Sequence, residues 1–306
     1  GHRPHLALPG LQFVDVPRGV ALEGGATTFP VPIARGASWN PELEERIGEA
    51  IALEARSFGA NWVAAVCINL LRHPGWGRAQ ETYGEDPLHV GALGAAITRG
   101  LERHAIACVK HYALNSIDSS RFLVDVQIEP RVLHELYLPQ FRACIKAGAG
   151  SLMSAYNRVN GIHASEHPWL LNQVLKRDWA YDGWVMSDWG AVHSTATTVN
   201  AGMDLEMPGP PNHFGPKLKK AVEEGKVTAG QLDDNARRMV RLIVRSGAIY
   251  DQTIFALTAV MVIGVMLTYA VISPYPYATV MFGSFAFCVF VLLVLVNQGF
   301  SPNWAI

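Results

Sequence analysis

The sequence is poor in the features that mark several large protein classes. Its four cysteines, Cys67, Cys108, Cys144 and Cys288, stand singly in apolar stretches. Without paired or clustered spacing they argue against a disulfide scaffold or a zinc module and read as buried free thiols. Basic and acidic residues nearly cancel, 25 Lys and Arg against 26 Asp and Glu, and the basic ones are dispersed. That removes the concentrated positive surface a nucleic-acid partner requires and suits a neutral ligand. No His and carboxylate cluster has metal-ligand spacing, so neither a metal nor another cofactor is expected. The opening Gly1-His2-Arg3-Pro4 starts no apolar run, so no signal peptide is read there.

A second absence is local. From Gln252 to Ile306 there is no Asp, Glu, Lys or Arg. Two apolar runs, about 253–272 and 277–296, flank Ser273-Pro274-Tyr275-Pro276, and each has the roughly 20 residues that cross a bilayer core as a helix. Residues 251–306 therefore read as a transmembrane hairpin with the lipid membrane as partner. Arg237, Arg238, Arg241 and Arg245 precede the first run. They place the large domain in the cytoplasm by the positive-inside rule, or they are the polar face of a soluble helix, which leaves the side of the membrane open.

Residues 1–250 alternate short apolar runs with amphipathic stretches, the pattern of a parallel sheet wrapped by helices and, at this length, of one barrel domain. In one unit Asn40 caps, Pro41 opens the helix, Leu43, Ile47, Ile51 and Phe58 share a face, and Gly59 ends it before the run Trp62 to Val66. Other strand candidates are 106–109, 151–155, 183–186 and 203–205, with helices starting near Pro87, Pro130, Pro168, Phe214 and Thr228, the last with Gln231 at capping-box spacing. Barrel chemistry sits where strands end. Polar residues that follow the apolar runs, immediately or by one loop, are Arg78 and Glu81, Lys110 and His111, Tyr156 and Asn157, and Asp188, with Trp76 and Trp189 beside them. Directed hydrogen-bonding groups, aromatic faces and the Asp188 carboxylate suit a sugar and an oxocarbenium-like transition state.

Four segments, in order, resemble glycoside hydrolase family 3, the β-glucosidase and β-xylosidase family, over about residues 8–247. They are Leu71 to Glu81 running on to Glu85-Asp86-Pro87, Lys110-His111-Tyr112-Ala113-Leu114-Asn115, Met153-Ser154-Ala155-Tyr156-Asn157 and Val185-Met186-Ser187-Asp188-Trp189. The resemblance implies an (α/β)8 TIM-type barrel and a retaining β-glycosidase acting on β-linked glucosides or xylosides. It makes Asp188 the nucleophile and Arg78, Lys110, His111, Arg121 and Tyr156 the sugar pocket, with Asp15 on sugar hydroxyls; Trp189 supplies aromatic surface. Lys110, Arg78 and Arg121 are expected to hold the Asp188 pKa down.

The chain departs from the family pattern where Val16 replaces the usual glycine, and in its general acid. The family takes a glutamate from a second α/β domain, whereas here the charge-free tail follows the barrel, so no acid is carried over. Glu81, Glu166, Asp118 or a partner chain are the alternatives, and Glu81 also suits bracing Arg78. Asp204 and Glu206 read equally as site support or as structure. Two functions remain: a membrane-attached glycosidase, or a catalytically impaired sugar-binding barrel or membrane scaffold. Oligomeric state is open.

Overall fold

A computed structural model describes residues 10–15, 17–21 and 25–248. Eight strands occur among them: β1 (Phe13–Asp15), β2 (Trp62–Cys67), β3 (Ile106–Tyr112), β4 (Asp125–Val126), β5 (Ser151–Ser154), β6 (Arg158–Val159), β7 (Ile162–His163) and β8 (Trp184–Met186). The main sheet is parallel with order β1-β2-β3-β5-β8, and a bridge from Met186 to Leu205 adds a sixth position. Helices α1 (Pro32–Gly36), α2 (Pro41–Ser57), α3 (Pro87–Leu101), α4 (Pro130–Val132) and α5 (Pro139–Lys146) cover the first half of its outer face. The wide helical turns Trp169–Asp178 and helices α6 (Ala196–Ala201), α7 (Pro216–Glu223) and α8 (Ala229–Arg245) follow.

Strands β2, β3, β5 and β8 are buried on both sides, which is why they appear as unbroken apolar runs. Alternation sorts them into two cores. Val63, Ala107, Val109, Leu152 and Val185 face the helices. Trp62, Ala64, Ile106, Cys108, Met153, Trp184 and Met186 face inward. The sheet curls around this second set: Trp62 stacks on Trp184 at 5.1 Å although two strands separate β2 from β8, and Phe13 lies 4.9 Å from Trp62 and 5.2 Å from Trp189.

The expected eightfold barrel is thus seen, among the described residues, as five paired strands and one bridge. The 203–205 candidate contributes only Leu205. Beyond it the chain enters Met207-Pro208-Gly209-Pro210-Pro211, where the prolines offer no N–H to extend a ladder. The helix signals hold more closely. Asn40 accepts from Leu43 N at the start of α2, Asp86 from His89 N at α3, and Thr228 from Gln231 N at α8. Only half of the last box forms, because the Gln231 side chain donates to Asn235 instead. Cys67, Cys108 and Cys144 are free and buried, and burial pushes their thiols up to about 11, 12 and 12. Cys288 and both predicted membrane spans lie outside the described residues; among the described residues no helix is long and apolar enough to cross a membrane.

At the pole opposite the polar strand ends, Glu102 accepts from Ala107 N, Gly150 N and Arg245 Nη2. Burial nevertheless raises its pKa from 4.5 to about 7, against the pull of Arg245 and the two amides. A folded carboxyl that holds its proton more tightly than the unfolded chain contributes stability that is complete below about pH 4.5 and is lost as pH rises through about 7, on the order of 3 kcal/mol. Glu102→Gln keeps the Oε1 acceptor and removes the ionisation, so its urea-unfolding free energy relative to wild type should improve between pH 4.5 and 8. A difference that stays constant over that range would discard this account.

Candidate active site

The inward phase of the strands continues into polar residues at their C-terminal ends. Phe13 is followed two residues on by Asp15, Cys108 by Lys110 and Met186 by Asp188. A register irregularity in β3 between Lys110 and Tyr112 brings His111 to the same space as Lys110. The loop after β2 brings in Arg78, and a small sheet of β4, β6 and β7 ties the loop carrying Arg121 to the one carrying Tyr156. The result is a cavity of about 170 Å³ lined by Asp15, Arg78, Lys110, His111, Arg121, Met153, Tyr156, Asp188 and Trp189. All eight residues singled out from the sequence meet there.

Lys110 is fully buried and its Nζ donates to Asp15 Oδ1 at 2.6 Å. Arg78 donates through Nε and Nη2 to Glu81 at 3.0 and 2.6 Å, and through Nη1 to His111 Nε2 at 2.8 Å. Asn69 Oδ1 accepts from His111 N and faces Nδ1 at 3.0 Å, while its amide donates to His111 O. Both ring nitrogens are therefore assigned: Nδ1 carries the hydrogen and Nε2 takes the Arg78 donor. Burial first, then Arg78, Lys110 and Arg121, depress the His111 pKa well below 6.5 and keep it neutral. Arg121 bonds Asp118 at 2.6 Å and lies against the rings of Phe122 and Tyr156 at 4.9 and 5.1 Å.

Asp188 is buried at the centre. Its Oδ1 accepts from Trp189 N at 2.8 Å. Oδ2 makes no close hydrogen bond: the Tyr156 hydroxyl acts on the carboxylate from within the same pocket, and His111 Nε2, 3.6 Å from Oδ2, is itself an acceptor. Burial raises the Asp188 pKa above 3.8 despite the Trp189 amide, the Tyr156 hydroxyl and the charges of Arg78 and Lys110. This reverses the expected downward shift: the cations spend their fields on Glu81 and Asp15, so desolvation prevails.

The other candidates fall elsewhere. Glu81 braces Arg78, Asp118 holds Arg121, and Glu166 accepts from Thr198. Asp204 pairs with Lys176 and Arg238, and Glu206 gathers the amides of Asn212, His213 and Phe214, both as structure. Trp76, expected as sugar-facing surface, is buried beside a different cavity. Asn69 was not singled out from the sequence. Its signal is the same as for the others, a polar side chain just past a buried strand, here two residues after Cys67.

The match to known proteins includes every residue of this pocket: the model of the glycosyl hydrolase family 3 N terminal domain spans residues 2–242. The chain belongs to glycosyl hydrolase family 3. Within the family it is similar to a β-glucosidase of Rhizobium radiobacter, 43% identical over an alignment of 251 residues, with 79% of this chain and 31% of that one covered. An exo-α-(1→6)-L-arabinopyranosidase of Bifidobacterium breve is 36% identical over 79% of this chain and 34% of its own. Among solved family 3 structures, β-glucosidase 3B from Thermotoga neapolitana in complex with glucose superposes with a TM-score of 0.77 at 32% identity, over 82% of this chain and 38% of that one. The family 3 chain spans about a third of the length of these curated relatives.

Proposed function

We propose that the chain carries the sugar-binding and nucleophilic machinery of a retaining β-glycosidase acting on β-glucosides or related β-xylosides. The observation that carries this reading is Asp188 Oδ2, a buried carboxylate oxygen left without a close hydrogen bond in a pocket of hydrogen-bond donors. Oδ2 would attack the anomeric carbon as the glycosidic C–O bond breaks, giving a glycosyl–Asp188 ester that water then hydrolyses with net retention. Lys110, held by Asp15, and Arg78, held by Glu81, would take sugar hydroxyls, and Trp189, 42% exposed, offers a face for the ring. A cavity of about 170 Å³ favours a single sugar unit.

The proton donor to the leaving group is left unassigned, since Glu81, Asp118 and Glu166 each have a partner. A second reading, a barrel that binds sugar with impaired turnover, rests on that pairing. The charge-free runs 253–272 and 277–296 extend either reading to membrane attachment, on composition alone.

Proton NMR during hydrolysis of p-nitrophenyl β-glucoside, whose leaving group needs little acid assistance, tests the proposal. The first-formed glucose should be the β-anomer. Initial α-glucose would mean inversion and would remove Asp188 as nucleophile; no hydrolysis alongside retained glucose binding would select the second reading.

A further inference from the structure

A cavity of about 260 Å³ lies beside α5, and none of its described lining residues belongs to the Asp188 pocket. Pro139 opens α5, and Arg142 and Lys146 then stand one helical turn apart on it, both exposed and both lining the cavity. His134 joins them from the turns Leu133–Tyr137, and Trp179, which ends the turns Trp169–Asp178, supplies an aromatic wall.

The charge of this cavity is one-sided. No described lining residue is acidic, and neither the Arg142 guanidinium nor the Lys146 ammonium has an ion pair or side-chain hydrogen bond with another described residue. The acids next to the lining residues in the chain are already engaged: Glu135 accepts from Arg131 and Asp178 from Gln173. By contrast Arg99 and Arg103, exposed on α3 and just beyond it, are matched by Glu45 and Glu49 of α2. Like charges at i and i+4 repel. The C-terminal end of α5 favours a cation at Lys146, but that accounts for neither Arg142 nor the histidine beside it. A bound anion removes the repulsion and satisfies both groups at once.

Trp179 adds a requirement that a bare ion does not meet. It is half-buried and lies edge-on to Tyr112, ring centroids 6.3 Å apart, so the indole is braced where it meets the cavity. An indole suits the apolar face of a ring. The cavity is also larger than the 170 Å³ Asp188 pocket, read above as sized for one sugar unit, which leaves room for one further group.

We infer that this cavity is a second ligand site, independent of the chemistry at Asp188, and that it takes a phosphate monoester carried on a pyranose ring. Arg142, Lys146 and His134 hold the phosphate, and the ring lies against Trp179.

Isothermal titration of the full chain with glucose 6-phosphate, in excess glucose to fill the Asp188 pocket, tests the assignment. Wild type should bind the ester, and bind inorganic phosphate more weakly. Arg142→Gln and Lys146→Gln, both at exposed positions, should each weaken the ester about tenfold and leave p-nitrophenyl β-glucoside hydrolysis unchanged. Trp179→Leu should weaken the ester while inorganic phosphate affinity stays within about twofold, which also shows that the variant is folded. No binding to wild type, binding that survives both charge changes, or inorganic phosphate held as tightly as the ester overturns the assignment and leaves the glycosidase reading standing.

Discussion

Asp188→Ala is expected to lower kcat/KM for p-nitrophenyl β-glucoside by at least about 10³-fold, because no other described carboxylate in the pocket is free to attack. Azide should restore turnover in the variant and yield the α-glucosyl azide: a small anion enters the space vacated by the carboxylate and attacks once, with inversion. The wild-type pH profile carries an independent signature. Attack needs the ionised carboxylate, and burial places its pKa above the ordinary aspartate value of 3.8. The acid limb should therefore lie above that value, activity falling as pH drops through it. Unaltered activity in Asp188→Ala, or rescue giving the β-azide, would show that another group forms the intermediate.

Arg78→Leu should damage folding and site together. The guanidinium satisfies both oxygens of Glu81 and donates to His111 Nε2, with 16% of its side chain accessible. Removing it strands a largely buried carboxylate, at a cost of about 3 kcal/mol. Removing both charges strands nothing, so Arg78→Leu/Glu81→Leu should be destabilised by less than the sum of the single changes, with at least about 1 kcal/mol of coupling in urea unfolding. His111 gives a second readout. Its folded pKa lies well below 6.5, so wild-type stability should fall as pH drops below about 6.5, where the unfolded imidazole takes up a proton that the folded one refuses. Arg78→Leu removes one of the depressing charges and the Nε2 donor, so this loss should shrink. Additive single effects with an unchanged acid slope would mean that Arg78 acts at neither partner.

How legible each part was depends on the range of the physics involved. Strand burial is a period-two property of consecutive residues, so Trp62 to Val66 and Ile106 to Val109 could be read as buried strands, and the polar side chains beyond them as pocket residues. Caps are equally local: the oxygens of Asn40, Asp86 and Thr228 reach amides three residues ahead. The order of the four strand-end motifs was sufficient to point to the family that now covers residues 2–242.

Other features depend on groups far apart in the chain. Lys110 finds Asp15 across 95 positions, and Asn69 meets His111 across 42. Whether Asp188 moves up or down depends on how many atoms crowd it and on which cations are already committed, so counting nearby arginines gave the wrong sign. The same holds for Trp76, buried beside a different cavity, and for Glu81, Asp118 and Glu166, each taken by a partner. The sequence by itself determined the α/β layering, the pocket residues and the family. Only the tertiary structure decided which charges are spent, which carboxylate oxygen stays free, and that a larger cavity exists besides the Asp188 pocket. Periodicity and capping act between neighbours, whereas desolvation and ion pairing act between whatever the fold brings together.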